Sequence, residues 1–202
     1  RLYHCFMNFL EPILLIHVLT QLGLTQNYIQ DQYAILSGYV VSLLVTPTFF
    51  CTIIYRLYLP IATDDLYYHK STAFLHLLYA LLICLLIGLP FTLIFYFFPK
   101  QSLMVLYNTT SGYQQLKYMA FPFLLFYLQT PLSTILQAKN KNKVMFIISI
   151  IECTLEIILT YTLSHYLYVN AILISLFTGL ITTLTLSAIY CFKIIIKDTS
   201  LS

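Results

Sequence analysis

The run "AFLHLLYALLICLLIGLPFTLIFYFF" (residues 73–98) contains no Asp, Glu, Lys or Arg. As a helix rising about 1.5 Å per residue it is about 39 Å long. That exceeds the roughly 30 Å of hydrocarbon in a bilayer, for which about 20 apolar residues suffice. The rest of the chain matches it. Of 202 residues, 60% are hydrophobic and 8% charged, and the mean hydropathy is +0.85. Soluble domains carry about 25% charged residues. A chain this poor in charge cannot cover a water-facing surface, so the expected solvent is lipid and the expected class is an integral membrane protein.

Five further stretches are long and apolar enough to cross: 2–19, 34–59, 115–137, 144–167 and 170–195. The turns between the spans are expected at "TQLGLTQNYIQDQ", "PIATDDLYYHKST", "PKQSLMVLYNTTSGY", "AKNKNK" and "SHYLYV". No long linker divides the chain, so the expectation is a single all-α bundle of six transmembrane helices over 1–202. Pro12, Pro47, Pro90, Pro122 and Pro131 fall inside spans. A membrane bundle tolerates them because neighbours re-satisfy the freed carbonyls. They read either as packing kinks or as hinges of a moving bundle. The five cysteines lie mostly in apolar runs and read as small buried hydrophobes. No CxxC or His/Cys cluster suggests a metal, no cofactor motif is present, and the small net charge of +3 implies no nucleic acid. The chain opens on Arg1 without a signal-peptide pattern and reads as a piece of a longer protein.

Lys and Arg set the expected orientation. With six spans, both ends share one side with the second and fourth turns. That side collects Arg1, Arg56, Lys70, Lys139, Lys141, Lys143, Lys193 and Lys197, against Lys100 and Lys117 opposite. Basic residues favour the cytoplasmic side, so both termini are expected there, with Arg56 snorkelling from near the end of span two. Tyr28, Tyr33, Tyr58, Tyr67, Tyr68, Tyr107, Tyr113, Tyr166 and Tyr168 lie near span ends and suit an interfacial belt.

Against this background "SIIECTLEIILTY" stands out, with Glu152 and Glu156 one helical turn apart. Counted from Lys143 they lie roughly 13 and 20 Å into the membrane, and Glu11 lies roughly 15 Å from Arg1. An ionised side chain at such depth costs about 2.5–3.5 kcal/mol on the mildest scale. Burial and mutual repulsion favour a proton on at least one of the pair. Two readings stand side by side. In one, the carboxyls glue helices together, with the Thr-rich "TGLITTLTLS" as partner. In the other, they wall a substrate or ion path. His17 is either interfacial or part of that path, Gln129 needs a polar partner within the bundle, and His76 reads as a hydrogen-bonded packing residue. The lysine run "KNKNK" reads as a solvated topology signal or a contact for anionic headgroups.

The order of motifs resembles the stage V sporulation protein B and polysaccharide exporter group of the MOP (MATE-like) flippase superfamily. Tyr33–Ala34–Ile35–Leu36–Ser37–Gly38, followed by Pro47, is similar to the group's Tyr-Gly-x-Leu-Ser-Gly span start. Tyr58–Leu59–Pro60–Ile61–Ala62–Thr63 is similar to its Leu-Ile-Pro-Ala-Ile-Ser span end. Gly88–Leu89–Pro90, Tyr127–Leu128–Gln129 and Ile135–Leu136–Gln137 match further elements. The resemblance spans nearly the whole chain and implies one lobe, the C-terminal half, of a two-lobed transporter in a bacterial inner membrane. It also implies departures. Ile16–His17–Val18–Leu19 stands where relatives often have Pro-Arg-Arg-Leu, and Glu156 stands about where many have a lysine. A basic partner from the N-terminal half would account for Glu156.

The resulting expectation is a flippase or exporter of lipid-linked oligosaccharide or peptidoglycan precursor, working by alternating access. Its partners would be the lipid-linked glycan, bilayer lipids and the other half of the transporter, with no cofactor and no bond chemistry. Glu11, His17, Gln129, Glu152 and Glu156 are the candidate path residues. The alternative is a cation-coupled multidrug antiporter of the same superfamily. A purely structural subunit fits too. An enzyme has only the ExxxE pair in its favour, without a companion His cluster, Asp-rich loop or nucleophile motif.

Overall fold

The computed structural model describes residues 2–68 and 72–199, all of whose regular structure is helical. Helix α1 (Leu2–Gln21) is followed by α2 (Gln26–Ala34), a π-helical segment (Ile35–Val41) and α3 (Ser42–Val45), which run on as one rod. Then come α4 (Thr48–Tyr67), α5 (Ala73–Phe97), α6 (Pro99–Tyr107), α7 (Tyr113–Ala138), α8 (Asn142–Leu167) and α9 (Ala171–Thr199), the last two joined by a 3-10 turn at Tyr168–Asn170. Arg1 and Lys70, and the side chains of Cys5 and Lys197, lie outside what is described.

Three stretches are long and apolar enough to cross a membrane: Ala73–Phe97, Tyr113–Ala138 and Asn142–Ile196. The pair Gln26–Val45 and Thr48–Tyr67, bent by 42°, makes a fourth if it counts as one span, and Phe9–Gln21 is a shorter apolar helix. The stretch Asn142–Ile196 is not one straight rod. Thr160 and Ser175 hydroxyls meet at 2.7 Å across it, so α8 and α9 lie side by side as a hairpin. The hairpin turns at Tyr168, whose φ is 54°.

Several expected turns are helical instead. α2 occupies much of "TQLGLTQNYIQDQ", α4 runs on to Tyr67, α6 fills most of "PKQSLMVLYNTTSGY", and α8 continues to Leu167. Polar side chains at a membrane surface are solvated whether or not the backbone is helical. Polarity therefore marks the level of the surface, not the end of the helix. Pro99 opens α6 at its first position, where the missing N–H costs nothing.

Helix α7 packs against α4, α5 and α9 and holds the bundle together. Its central anchor is Tyr127, 1% exposed, whose hydroxyl donates to the Leu44 carbonyl at 2.7 Å. That carbonyl lies just before the Thr46–Pro47 break, where the helix ladder is interrupted, and an unpaired carbonyl inside a bilayer costs several kcal/mol. The Tyr127 ring needs Gly88. A Cβ there would lie 2.5 Å from the ring's Cδ2 and 3.0 Å from Leu124 Cδ1. Gly112, at φ +86°, turns α6 into α7 against Val40 and Ile35 of the π-helix.

The basic residues that are described fall at two ends. At one end Lys139 Nζ reaches the Leu66 carbonyl (3.4 Å) and lies 4.7 Å over the Tyr67 ring. The Tyr55 hydroxyl donates to Gln137 Oε1, which levels Arg56 with the last turn of α7 although α4 continues beyond it. At the other end Lys100 lies 4.5 Å over Tyr113 and Lys117 lies 5.2 Å over Tyr96. His76 is a packing residue, hydrogen-bonded at 2.7 Å to buried Asp65, which also accepts from Thr72 at 2.9 Å. Among the expected belt tyrosines, Tyr67, Tyr68, Tyr166 and Tyr168 are exposed, but Tyr58 is buried and Tyr33 lines a cavity. Cys51, Cys84, Cys153 and Cys191 are buried free thiols, as expected.

Candidate functional site

Helix α8 holds Glu152 and Glu156 about 15 and 21 Å from its start, near the middle of its length of about 39 Å. A spacing of four residues puts both on one face. Helix α1 packs on α8 and brings Glu11 to the same place. The three carboxyl groups line a cavity of about 300 Å³, together with Tyr33 and Ser37 from the α2–π segment and Phe123 from α7. Glu11, Glu152 and Glu156 are three of the five candidate path residues. The cluster joins two helices remote in sequence.

Each carboxyl has a different setting. Glu152 Oε1 accepts from the Thr183 hydroxyl at 3.4 Å. Glu11 lies near Thr160, whose hydroxyl meets that of Ser175 at 2.7 Å. Glu156 has no hydrogen-bond partner among the described residues. It lies over Gly179, where a Cβ would come 2.9 Å from its Cδ and 3.0 Å from its Cγ. Glu152 and Glu11 are both near enough to act on its charge. The acidic cluster is thus three carboxyls that the protein hydrogen-bonds sparsely, with Glu156 the one whose capacity is unspent among the described residues, in a wall otherwise mostly aliphatic and aromatic. An unspent carboxyl at this depth can accept from a hydroxyl or amide of a guest, or pair with a cation. Among the described residues no group of three or more His, Cys, Asp or Glu is placed to hold a metal ion.

The opposite wall is irregular. The π-helical segment supplies Leu36, Ser37 and Val41 to the cavity. Ser42 Oγ donates to the Ser37 carbonyl at 3.1 Å, five residues back. π-Helical turns inside α-helices are rare and occur often at functional sites. Immediately after it comes the Thr46–Pro47 break with its 42° bend.

His17 and Gln129 are not brought to this cavity. His17 is exposed on α1, its Nε2 3.1 Å from Gln21 Nε2, and Gln129 is half-buried on α7. Of the hinge candidates, Pro47 sits at the break, whereas Pro12, Pro90, Pro122 and Pro131 lie inside helices. Sequence reasoning missed Gly179, Thr160, Tyr33 and the π-helix. A glycine four residues before Thr183 on a Thr-rich helix was a usable signal for a close approach. The π-helix had none.

Helices, cavity and apolar spans describe a multi-pass membrane protein, and one relative agrees. The chain is similar to stage V sporulation protein B of Bacillus subtilis (strain 168). The two are 30% identical over 133 residues, which is 65% of this chain and 26% of the relative. The match thus spans about a quarter of that relative's length and supports a relationship to stage V sporulation protein B. No protein-family model matches the chain, and no solved structure does.

Proposed function

We propose that the chain is the C-terminal lobe of a MATE-like flippase or exporter that moves a lipid-linked oligosaccharide or peptidoglycan precursor across a bacterial inner membrane by alternating access. The observation that carries this reading is the half-buried cavity at mid-helix depth where Glu11, Glu152 and Glu156 converge. Carboxyls at such depth mark transport paths by default. The relationship to stage V sporulation protein B supports it. In this reading the lobe crosses six times, by α1, the bent α2–α4 pair, α5, α7 and the two arms of the α8–α9 hairpin. The π-helix and the Pro47 break are the flexible elements, with Glu156 facing a basic group or the substrate from the other lobe.

The test is a flipping assay. The full-length protein in proteoliposomes should move a fluorescent polyprenyl-diphosphate oligosaccharide to the outer face, detected by a membrane-impermeant quencher. The 202-residue chain alone should insert without flipping, because the path runs between lobes. Flipping by that chain alone would falsify the two-lobe reading.

Orientation is tested separately. In intact cells, a cysteine placed at Lys141 is expected to be shielded from an impermeant thiol reagent, and one placed at Thr110 to react. The two positions lie beyond opposite ends of α7. Labelling of position 141 from outside would invert the proposed topology.

A further inference from the structure

At the Lys100/Lys117 end, two adjoining cavities differ in chemistry from the carboxylate site. The first, of about 440 Å³, is lined by Gln114, Gln115, Tyr118 and Asn170 with apolar side chains that include Met119 and Phe177. The second, of about 330 Å³, shares Gln115 and Asn170 and adds Tyr28, Gln32 and Tyr168. Both volumes fall in the roughly 300–1,000 Å³ range of small-molecule pockets. Four carboxamides and three phenol rings therefore line the two cavities, which share Gln115 and Asn170, and no charged side chain lines either one. Among the described residues the amides of Gln32, Gln115 and Asn170 make no hydrogen bond within the chain, whereas Gln114 Nε2 reaches the Tyr113 hydroxyl at 3.3 Å.

The lining selects a ligand class. A phosphate or carboxylate is recognised by Arg or Lys forks, which the cavities lack; Lys117 stands over Tyr96 instead. A hard metal cation is held mainly by carboxylates, also lacking. A bare hydrocarbon chain would leave several amides unsatisfied. A neutral polyhydroxylated group meets every requirement. Each of its hydroxyls is donor and acceptor at once, as each carboxamide offers both a carbonyl and an NH₂ group. Its C–H faces stack on phenol rings, which are apolar in body and polar at the tip. We propose that these adjoining cavities form a subsite for a neutral sugar of the transported headgroup. The inference rests on the flippase reading above, and it places the glycan about 30 Å along α7 from the lysine-rich turn.

The experiment uses the full-length protein in nanodiscs free of glycoside detergent, with di-N-acetylchitobiose as probe and saturation-transfer NMR as readout. Transfer to the sugar ring protons is expected. Gln115→Leu keeps the side-chain volume and removes both amide functions. Tyr118→Ala removes a ring that is 73% exposed, so the fold does not depend on it. Each is expected to weaken binding about tenfold, the order of one or two lost hydrogen bonds or one stacking contact. Gln137→Leu, an amide at the far end of α7, should leave binding unchanged. Absence of transfer in the unaltered protein overturns the subsite. So does transfer undiminished by Gln115→Leu and Tyr118→Ala, or lost equally in Gln137→Leu. Disaccharide binding at these residues without any flipping of a lipid-linked glycan keeps the subsite and removes the transport reading. Flipping without disaccharide binding does the reverse.

Discussion

Glu156→Gln in the full-length protein is expected to lose transport by roughly 30-fold or more while the amount in the membrane stays normal. The magnitude follows from losing one partner of a desolvated charge contact, about 2–5 kcal/mol, at 1.4 kcal/mol per tenfold. Gln keeps the size and one carbonyl acceptor, so packing over Gly179 is preserved. What disappears is the ability to ionise, on the carboxyl that has no hydrogen-bond partner among the described residues. Glu152→Gln serves as the internal comparison. Its acceptor oxygen can still take the Thr183 hydroxyl, so a loss of about threefold is expected, the scale of a modest hydrogen bond. Flipping of a lipid-linked oligosaccharide in proteoliposomes, normalised to immunoblotted protein, measures both. Wild-type rates in both variants would show that the carboxyls only hold helices together.

Gly179→Val is expected to disturb the carboxylate site directly. Its Cβ would lie 2.9 and 3.0 Å from Glu156 Cδ and Cγ, so the glutamate side chain or the helix must shift. Either α9 retreats from α8, or Glu156 is driven into the cavity. Overpacking of this kind costs about 1–3 kcal/mol. It should appear as a lower unfolding temperature of the purified protein and as lost transport. The second-site change Glu156→Ala vacates the space, so the double variant should recover most of the stability without recovering flipping. Residues in contact couple by about 0.5–3 kcal/mol. Strict additivity of the two changes would mean that Glu156 does not rest on Gly179, and the site as built here would fall with it.

Membrane residence, the helical class and the positions of the unusual charges are written in the chain itself. They depend on local quantities: apolar run length against bilayer thickness, and the cost of a carboxyl at depth. Residues 73–98 admit one reading in any tertiary context, and Glu152 and Glu156 share a face in any α-helix. Helix ends were less legible. Thr25–Gln32 and Pro99–Tyr107 are polar because they sit at a surface, and polarity there says nothing about backbone hydrogen bonding. The partnerships were decided only by the tertiary structure. Glu11 joins the pair because α1 packs on α8, across some 140 residues of sequence. Glu156 differs from Glu152 because α9 presents a glycine to one and a threonine to the other. The π-helix at Ile35–Val41 forms from residues that an α-helix accepts equally well, wedged between the Gly112 turn and the Pro47 break. Such features arise from contacts between segments far apart in the chain, and no periodicity within one segment encodes them.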